Sequence, residues 1–188
     1  MPGIDAPAKV NLALHVTGRR ADGFHLIESL VVFTELGDRI TVEPCDHDVF
    51  RLEGAESPVL ASEDAGSNLV VRARDRLRAE ASRSGRDLPS VEIRLDKRLP
   101  VASGIGGGSA DAAAALKVLC HHWDYHPGAG ALSKIALELG ADVPMCLNGK
   151  PLIARGIGEA LTPVELEFAI DMVIVNPRVG VSTPSVFQ

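Results

Sequence analysis

The chain has 188 residues, of which 46% are hydrophobic and 23% charged, with a formal net charge of −6; that suits one globular domain, or one and a half, with a sizeable core. The acidic balance argues against a nucleic-acid binder, which usually carries a basic excess, and no apolar run approaches the ~18 residues of a membrane span. Cys45, Cys120 and Cys146 form no CxxC pair, so neither a disulfide scaffold nor a zinc ribbon is expected, and without a charged n-region leading into an apolar stretch the expected compartment is the cytoplasm.

Residues 7–16 partly alternate, with Val10, Leu12, Leu14 and Val16 on one side, and predict a strand. A polar loop follows from Thr17 to Gly23. Residues 26–34 and 39–43 each read as a strand, and Phe50 to Leu52 as a further short one. Residues 54–67, rich in small and acidic side chains, read as a loop. Asn68 is placed to cap a helix reaching about Ser84, with Leu69, Val70, Ala73, Leu77 and Ala81 along one face. Val91 to Leu95 predicts a strand, Ser109 to about His121 a helix, and 131–139 a shorter helix. Gly140 to Pro144 reads as a turn, and strand-like pieces follow near 145–147, 151–154 and 171–176. Strands first, then strands and helices mixed, indicate an α+β fold. Thr183-Pro184 reads as the start of a helix just before the last residue, Gln188, and a truncated chain is the expectation.

The most informative segment is Leu99 to Ala115, in which Gly104, Gly106, Gly107 and Gly108 lead into Ser109 and an alanine-rich run. Glycines expose backbone N–H groups and reach dihedrals closed to other residues. Where such a loop enters a helix, free N–H groups and the helix dipole point the same way, which suits a phosphate chain. The loop lacks the lysine of a Walker A motif, and Ser109 stands where a dinucleotide fingerprint needs Gly or Ala. The Ser109 hydroxyl is the candidate contact to a phosphate oxygen or to Mg²⁺. The plain alternative is a flexible linker, although linkers do not usually join a strand directly to an alanine-rich helix.

Three other segments carry chemistry-bearing residues, each with a plain reading beside it. Lys9 and Asn11, two apart in a strand, leave it on the same side; taken alone they read as a solvated strand face. Asp142, in Leu139-Gly140-Ala141-Asp142-Val143-Pro144, is placed to accept a proton from a hydroxyl or to bind a metal, and alone it reads as a turn or capping Asp. Arg19-Arg20-Ala21-Asp22-Gly23-Phe24-His25 gathers an aromatic, a His and two arginines in one loop; Phe24 either serves a ligand or folds into the core. His121, His122 and His126 lack zinc-ligand spacing and read as a helix C-terminus, where the dipole favours them.

Together and in this order, these four segments resemble the GHMP kinase superfamily, which includes galactokinase, homoserine kinase, mevalonate kinase and phosphomevalonate kinase. Within it they are similar to the members that act on a cytidine-diphosphate-linked methylerythritol in non-mevalonate isoprenoid and terpenoid biosynthesis. The resemblance runs from about residue 5 to the last residue. It implies a ribosomal protein S5 domain 2-like, ATP-binding domain over 1–165, with 166–188 beginning a C-terminal ferredoxin-like domain that is largely absent. It also implies Mg²⁺-ATP-dependent transfer of the γ-phosphate to the 2-hydroxyl of the small-molecule cytidine-diphosphate substrate.

By the same resemblance, Asp142 is the catalytic base and Lys9 its neighbour. A hydroxyl must lose its proton as it attacks phosphorus, and an ammonium beside the accepting carboxylate steadies the developing charge. Phe24, standing where the family commonly has Tyr, and Phe187 are implied to sandwich the cytosine, while His25 hydrogen-bonds its edge. Asn11 and Thr183 line the substrate pocket. Asn68 and Lys97 fall near the nucleotide, with Pro100, Gly104, Gly106, Gly107, Gly108 and Ser109 around its phosphates. No nucleic acid or membrane partner is implied, and the expected state is a monomer or weak homodimer. Because the family's second glycine-rich motif lies beyond the last residue, weak or absent turnover is expected of the chain alone, with an apolar surface exposed where the second domain would dock. Another small-molecule kinase of the superfamily and a non-catalytic nucleotide-binding fragment remain alternatives.

Overall fold

The computed structural model describes residues 3–60, 64–101 and 103–177. In chain order its elements are β1 (Ile4–Arg19), β2 (His25–Pro44), β3 (Val49–Glu53), the short α1 (Ser57–Leu60), a 3₁₀ turn (Ala65–Ser67), α2 (Leu69–Arg83), β4 (Val91–Asp96), α3 (Gly107–His122), α4 (Ala129–Leu139), α5 (Val143–Asn148), β5 (Leu152–Gly156) and β6 (Ala160–Pro163). The sheet runs β3-β4-β2-β5-β6, and β1 also pairs with β2. Every pairing is antiparallel except β3 with β4, which is parallel because α2 carries the chain back between them. Mixed strands with helices packed on them make this an α+β fold.

The expected strands at 26–34 and 39–43 are one continuous strand of 20 residues. The segment between them carries Glu35 and Asp38, yet the backbone continues, with Asp38 meeting a buried lysine from β4's exit. Residues 145–147 belong to helix α5 rather than to a strand. Pro144 in its first turn and Gly149 in the left-handed region just past its end set its limits. Residues 171–176 form no strand, since a β-branched run needs a ladder and none of the described strands pairs with it. The 54–67 segment holds α1 and the 3₁₀ turn, and β6 is an element the sequence reading did not anticipate. The helix start expected at Pro184 lies outside the described residues.

The core forms where α2 and α3 pack together and α3 lies across β1 and β2. Ile40, Ile93 and Leu95 of the sheet meet Leu77, Leu116 and Leu119 of the helices, all fully buried. Each such side chain stabilises the fold by about 1.5–3 kcal/mol relative to exposure. In α3 the residues Ala110, Ala112, Ala113, Ala114 and Ala115 are all buried, so small side chains let the helix approach its neighbours closely. Among the described residues no helix is long and apolar enough to cross a membrane.

Asn68 caps α2 as expected, its side-chain oxygen accepting from the Val70 N–H at 2.9 Å. Asn68→Ala is expected to lower stability by about 1 kcal/mol. Urea unfolding measures this, and a loss of under a few tenths would mean that the cap contributes nothing.

Candidate functional site

β1 behaves differently along its length. Ala6, Ala8 and Lys9 are buried, whereas residues 12–17 are exposed on both faces. The expected apolar side of Leu12, Leu14 and Val16 therefore does not enter the core, and Lys9, read alone as solvated, is only 6% exposed. A register shift between Pro7 and Lys9 explains the inversion. A bulge re-aims the strand locally and frees an N–H from the ladder. The Lys9 N–H donates instead to the Ile105 carbonyl at 2.8 Å, which ties β1 to the glycine loop.

The Lys9 ammonium lies 3.0 Å from the Asp142 carboxylate and 3.1 Å from the Asn11 side-chain oxygen. Asn11 in turn donates to Ser29 at 2.6 Å, and Ser29 donates to the Ala13 carbonyl at 2.7 Å. Asp142 occupies the N-cap position of α5, but its side chain makes no capping bond and turns to Lys9. Half-buried, it leaves carboxylate surface open to a ligand.

The glycine loop closes over the same lysine. Gly106 has φ +69°, a conformation that disfavours a side chain, and a Cβ there would sit 3.1 Å from Lys9 Cε. A Cβ on Gly107 would sit 3.0 Å from the Lys97 ammonium, so that lysine reaches the loop from beneath. Gly106 caps α3 without a side-chain bond, and the first intrahelical bond runs from Ala110 N–H to the Gly106 carbonyl. The N–H groups of Gly107, Gly108 and Ser109 therefore remain as donors at the positive end of a 16-residue helix. Leu69 Cδ1 lies 3.7 Å from the ideal Gly108 Cβ position, so the start of α2, with Asn68, adjoins that of α3.

Beneath the loop, the ammonium of Lys97 is bonded to both Asp38 and Asp111, the latter at 2.8 Å. All three are buried, at 0–3% exposure. Asp38 also accepts from the Arg98 and Leu99 N–H groups at 2.6 and 2.7 Å. Burial pushes the Asp111 carboxyl up to about 8; Lys97 opposes the rise and Asp38 adds to it. Burial pulls Lys97 down, but the two carboxylates outweigh it and its net direction is up. Lys97 is therefore placed to act on the loop rather than to reach past it. Asp38 and Asp111 were not anticipated as site residues. The available signal was an acid between two apolar strand runs and another within a run of alanines.

The remaining expected residues are placed as follows. Pro100 accepts from the Ser103 hydroxyl at 2.6 Å, and Gly104 is exposed with φ +75°. Phe24 is 57% exposed, outside the core, on a turn closed by Arg20 N–H to the Phe24 carbonyl. His25 pairs with Arg19, whereas Lys9 pairs with Phe33. Measured along β2 at about 3.3 Å per residue, His25 and Lys9 are thus on the order of 25 Å apart. The structure brings Lys9, Asn11, Asp142 and the glycine loop together, and leaves Phe24 and His25 at the far end of the same ribbon. Thr183 and Phe187 lie outside the described residues. His121 and His122 close α3, and among the described residues no group of three or more His, Cys, Asp or Glu is arranged to hold a metal.

A glycine loop opening a helix on a mixed sheet, with a lysine–carboxylate pair against it, places anion-binding N–H groups beside a proton acceptor. The family profile described as GHMP kinases N terminal domain matches residues 68–150. Over nearly its whole length the chain is similar to 4-diphosphocytidyl-2-C-methyl-D-erythritol kinase. It is 55% identical to that of Rhizobium meliloti (strain 1021) over 97% of this chain and 61% of the relative. With that of Mesorhizobium japonicum the identity is 56% over 97% of this chain and 60% of the relative. A crystal structure of 4-(cytidine 5'-diphospho)-2C-methyl-D-erythritol kinase superposes with TM-score 0.71 at 37% identity, covering 88% of this chain and 56% of that one. The chain thus spans about three-fifths of the length of the curated relatives it matches.

Proposed function

We propose that this chain provides the phosphate-binding and proton-accepting part of an ATP-dependent kinase that phosphorylates the 2-hydroxyl of 4-diphosphocytidyl-2-C-methyl-D-erythritol. The observation that carries the reading is the Lys9–Asp142 pair, 3.0 Å apart, with Lys9 packed under Gly106 at the start of α3. Identity above 50% to kinases named for that substrate supports the acceptor. On this reading residues 1–165 form the ATP-binding domain and 166–188 begin a second one. The exposed apolar residues Phe168 and Val173 fit a surface that a further domain would cover.

Asp142 takes the proton of the attacking hydroxyl, and Lys9 steadies the charge that develops beside it. The Gly107, Gly108 and Ser109 N–H groups hold phosphate oxygens of ATP, with Asn68 and Lys97 nearby and Pro100 and Gly104 shaping the loop. Phosphoryl transfer asks for little beyond such positioning and electrostatics. Mg²⁺, when bound, neutralises charge on the phosphates; the Ser109 hydroxyl is its candidate side-chain contact, and the ion would arrive with the nucleotide. Asn11 lines the acceptor pocket. Phe24 stacks on the cytosine and His25 meets its edge, so an extended ligand lies along the β1–β2 ribbon; Thr183 and Phe187 are the further residues assigned to this substrate.

The reading is tested by ATP-dependent ADP release with a panel of acceptors. The cytidine-diphosphate substrate should be preferred over mevalonate and homoserine, in a chain extended by the C-terminal part of the Rhizobium meliloti relative. Preference for another acceptor, or ATP binding without turnover, would replace the reading. The 188-residue chain by itself is expected to bind ATP and turn over weakly or not at all. Phe24→Ala is expected to raise KM for the cytidine substrate about tenfold or more, since a stacked base is worth about 1–3 kcal/mol. KM for ATP should not change, and equal losses for both would make Phe24 a structural residue.

A further inference from the structure

We propose that Asp111 is a positioning residue: through Lys97 it pins the exit of the glycine loop to the same buried cluster that holds its entry, fixing the Gly107–Ser109 N–H groups where a phosphate is to bind. The inference rests on the anion-binding reading above and deepens it. The loop's entry, Arg98-Leu99, is held by two N–H groups that donate to Asp38 of β2, at 2.6 and 2.7 Å. Its exit, the first turns of α3, is held by Asp111, which accepts from Lys97 at 2.8 Å. Lys97 also bonds Asp38, so one ammonium joins both ends of the segment between Leu99 and Asp111.

That ammonium lies directly under the loop, because a side chain on Gly107 would meet it at 3.0 Å. Three elements with no local reason to align are thereby brought to one point: mid-β2, the end of β4 and the second turn of α3. A free glycine loop is costly to order, and N–H donors bind an anion well only when they are already in place. The stoichiometry is also informative. One lysine faces two buried carboxylates, and Asp111 Oδ1 is buried with no hydrogen-bond partner among the described residues. Asp38 by itself balances the lysine's charge, so the Asp111 carboxyl is not needed as a counter-ion and is explained by its place on α3.

Asp111→Ala separates positioning from stability. It leaves Lys97 paired with Asp38 and adds a good helix former to a run of alanines. Amide hydrogen exchange and equilibrium ATP binding are measured on the 188-residue chain. Exchange at Leu99 to Ser109 should rise about tenfold or more, with β3 and α4 unchanged, and the ATP Kd should rise at least tenfold. Asp111→Asn, which keeps an acceptor for Lys97, should restore both to near wild type. Unchanged loop exchange, or a uniform rise across all elements, overturns the proposal. Loosening of the loop in a chain whose wild type binds no ATP would leave the positioning role standing and overturn the kinase reading instead. If Asp111→Ala does not fold, Asp111 is structural and the proposal fails.

Discussion

Asp142→Asn is expected to lower turnover by about 10²–10⁴-fold, the usual contribution of a general base, while ATP binding stays as it was. The amide keeps the shape of the side chain but cannot take the proton of the acceptor hydroxyl. It can still accept from Lys9, which is 3.0 Å away in the wild type, so the pocket keeps its geometry. Because Asp142 makes no capping bond to α5 but is the carboxylate paired with the buried Lys9 ammonium, stability should fall by about 1–2 kcal/mol. The measurement is steady-state kcat in the chain extended to its relatives' length, beside ATP binding and urea unfolding of both forms. An unchanged kcat would refute the base assignment, and a matching loss of stability would make Asp142 a folding residue.

Lys97→Met is expected to cost about 3–5 kcal/mol of stability at neutral pH, because it leaves the buried Asp38 carboxylate without its cation and the buried Asp111 carboxyl without its donor. Against a typical total of about 5–15 kcal/mol this approaches unfolding. Adding Asp111→Ala to Lys97→Met should recover part of the loss, since one of the two unpaired groups is then gone. The pH dependence has a definite sign. Burial lifts Asp111 from 3.8 to about 8, so between those values the folded chain retains a proton that the unfolded chain has released. Stability from this group is fully present below about pH 4 and falls as the pH rises through about 8. Urea midpoints from pH 5 to 8 should therefore decline in the wild type and decline less in Asp111→Ala. Equal slopes in the two proteins would contradict the burial of this carboxylate.

How much of this was legible beforehand depends on the range of the interaction. The Asn68 cap, the apolar stripe of α2 and the glycine loop running into α3 are local signals, each written within a few residues, and they appear in the fold nearly as read. Residues 26–34 and 39–43 read as separate strands, one from an apolar β-branched run and the other from alternation, and Glu35 to Asp38 continue neither pattern. Only the arrival of Lys97, 59 positions away, makes Asp38 admissible inside a sheet. The segment 145–147 reads as strand-like yet lies in helix α5. Three apolar residues carry no period, and Pro144 and Gly149 bound a six-residue helix whose Met145 and Cys146 enter the core.

The site divides along the same line. Residue types and motif order by themselves determined the phosphate loop, the candidate base and its lysine, because chemistry at short spacing is visible in one dimension. Only the tertiary structure decided that Lys9 is buried and turned to Asp142, that the outer half of β1 is exposed on both faces, and that Lys97 serves the loop from beneath between two acids. The bulge at Pro7–Lys9 and the crossing of β2, β4 and α3 produce those results. Strand register and the meeting of charges far apart in the chain are set by how whole elements pack, and no local pattern encodes them.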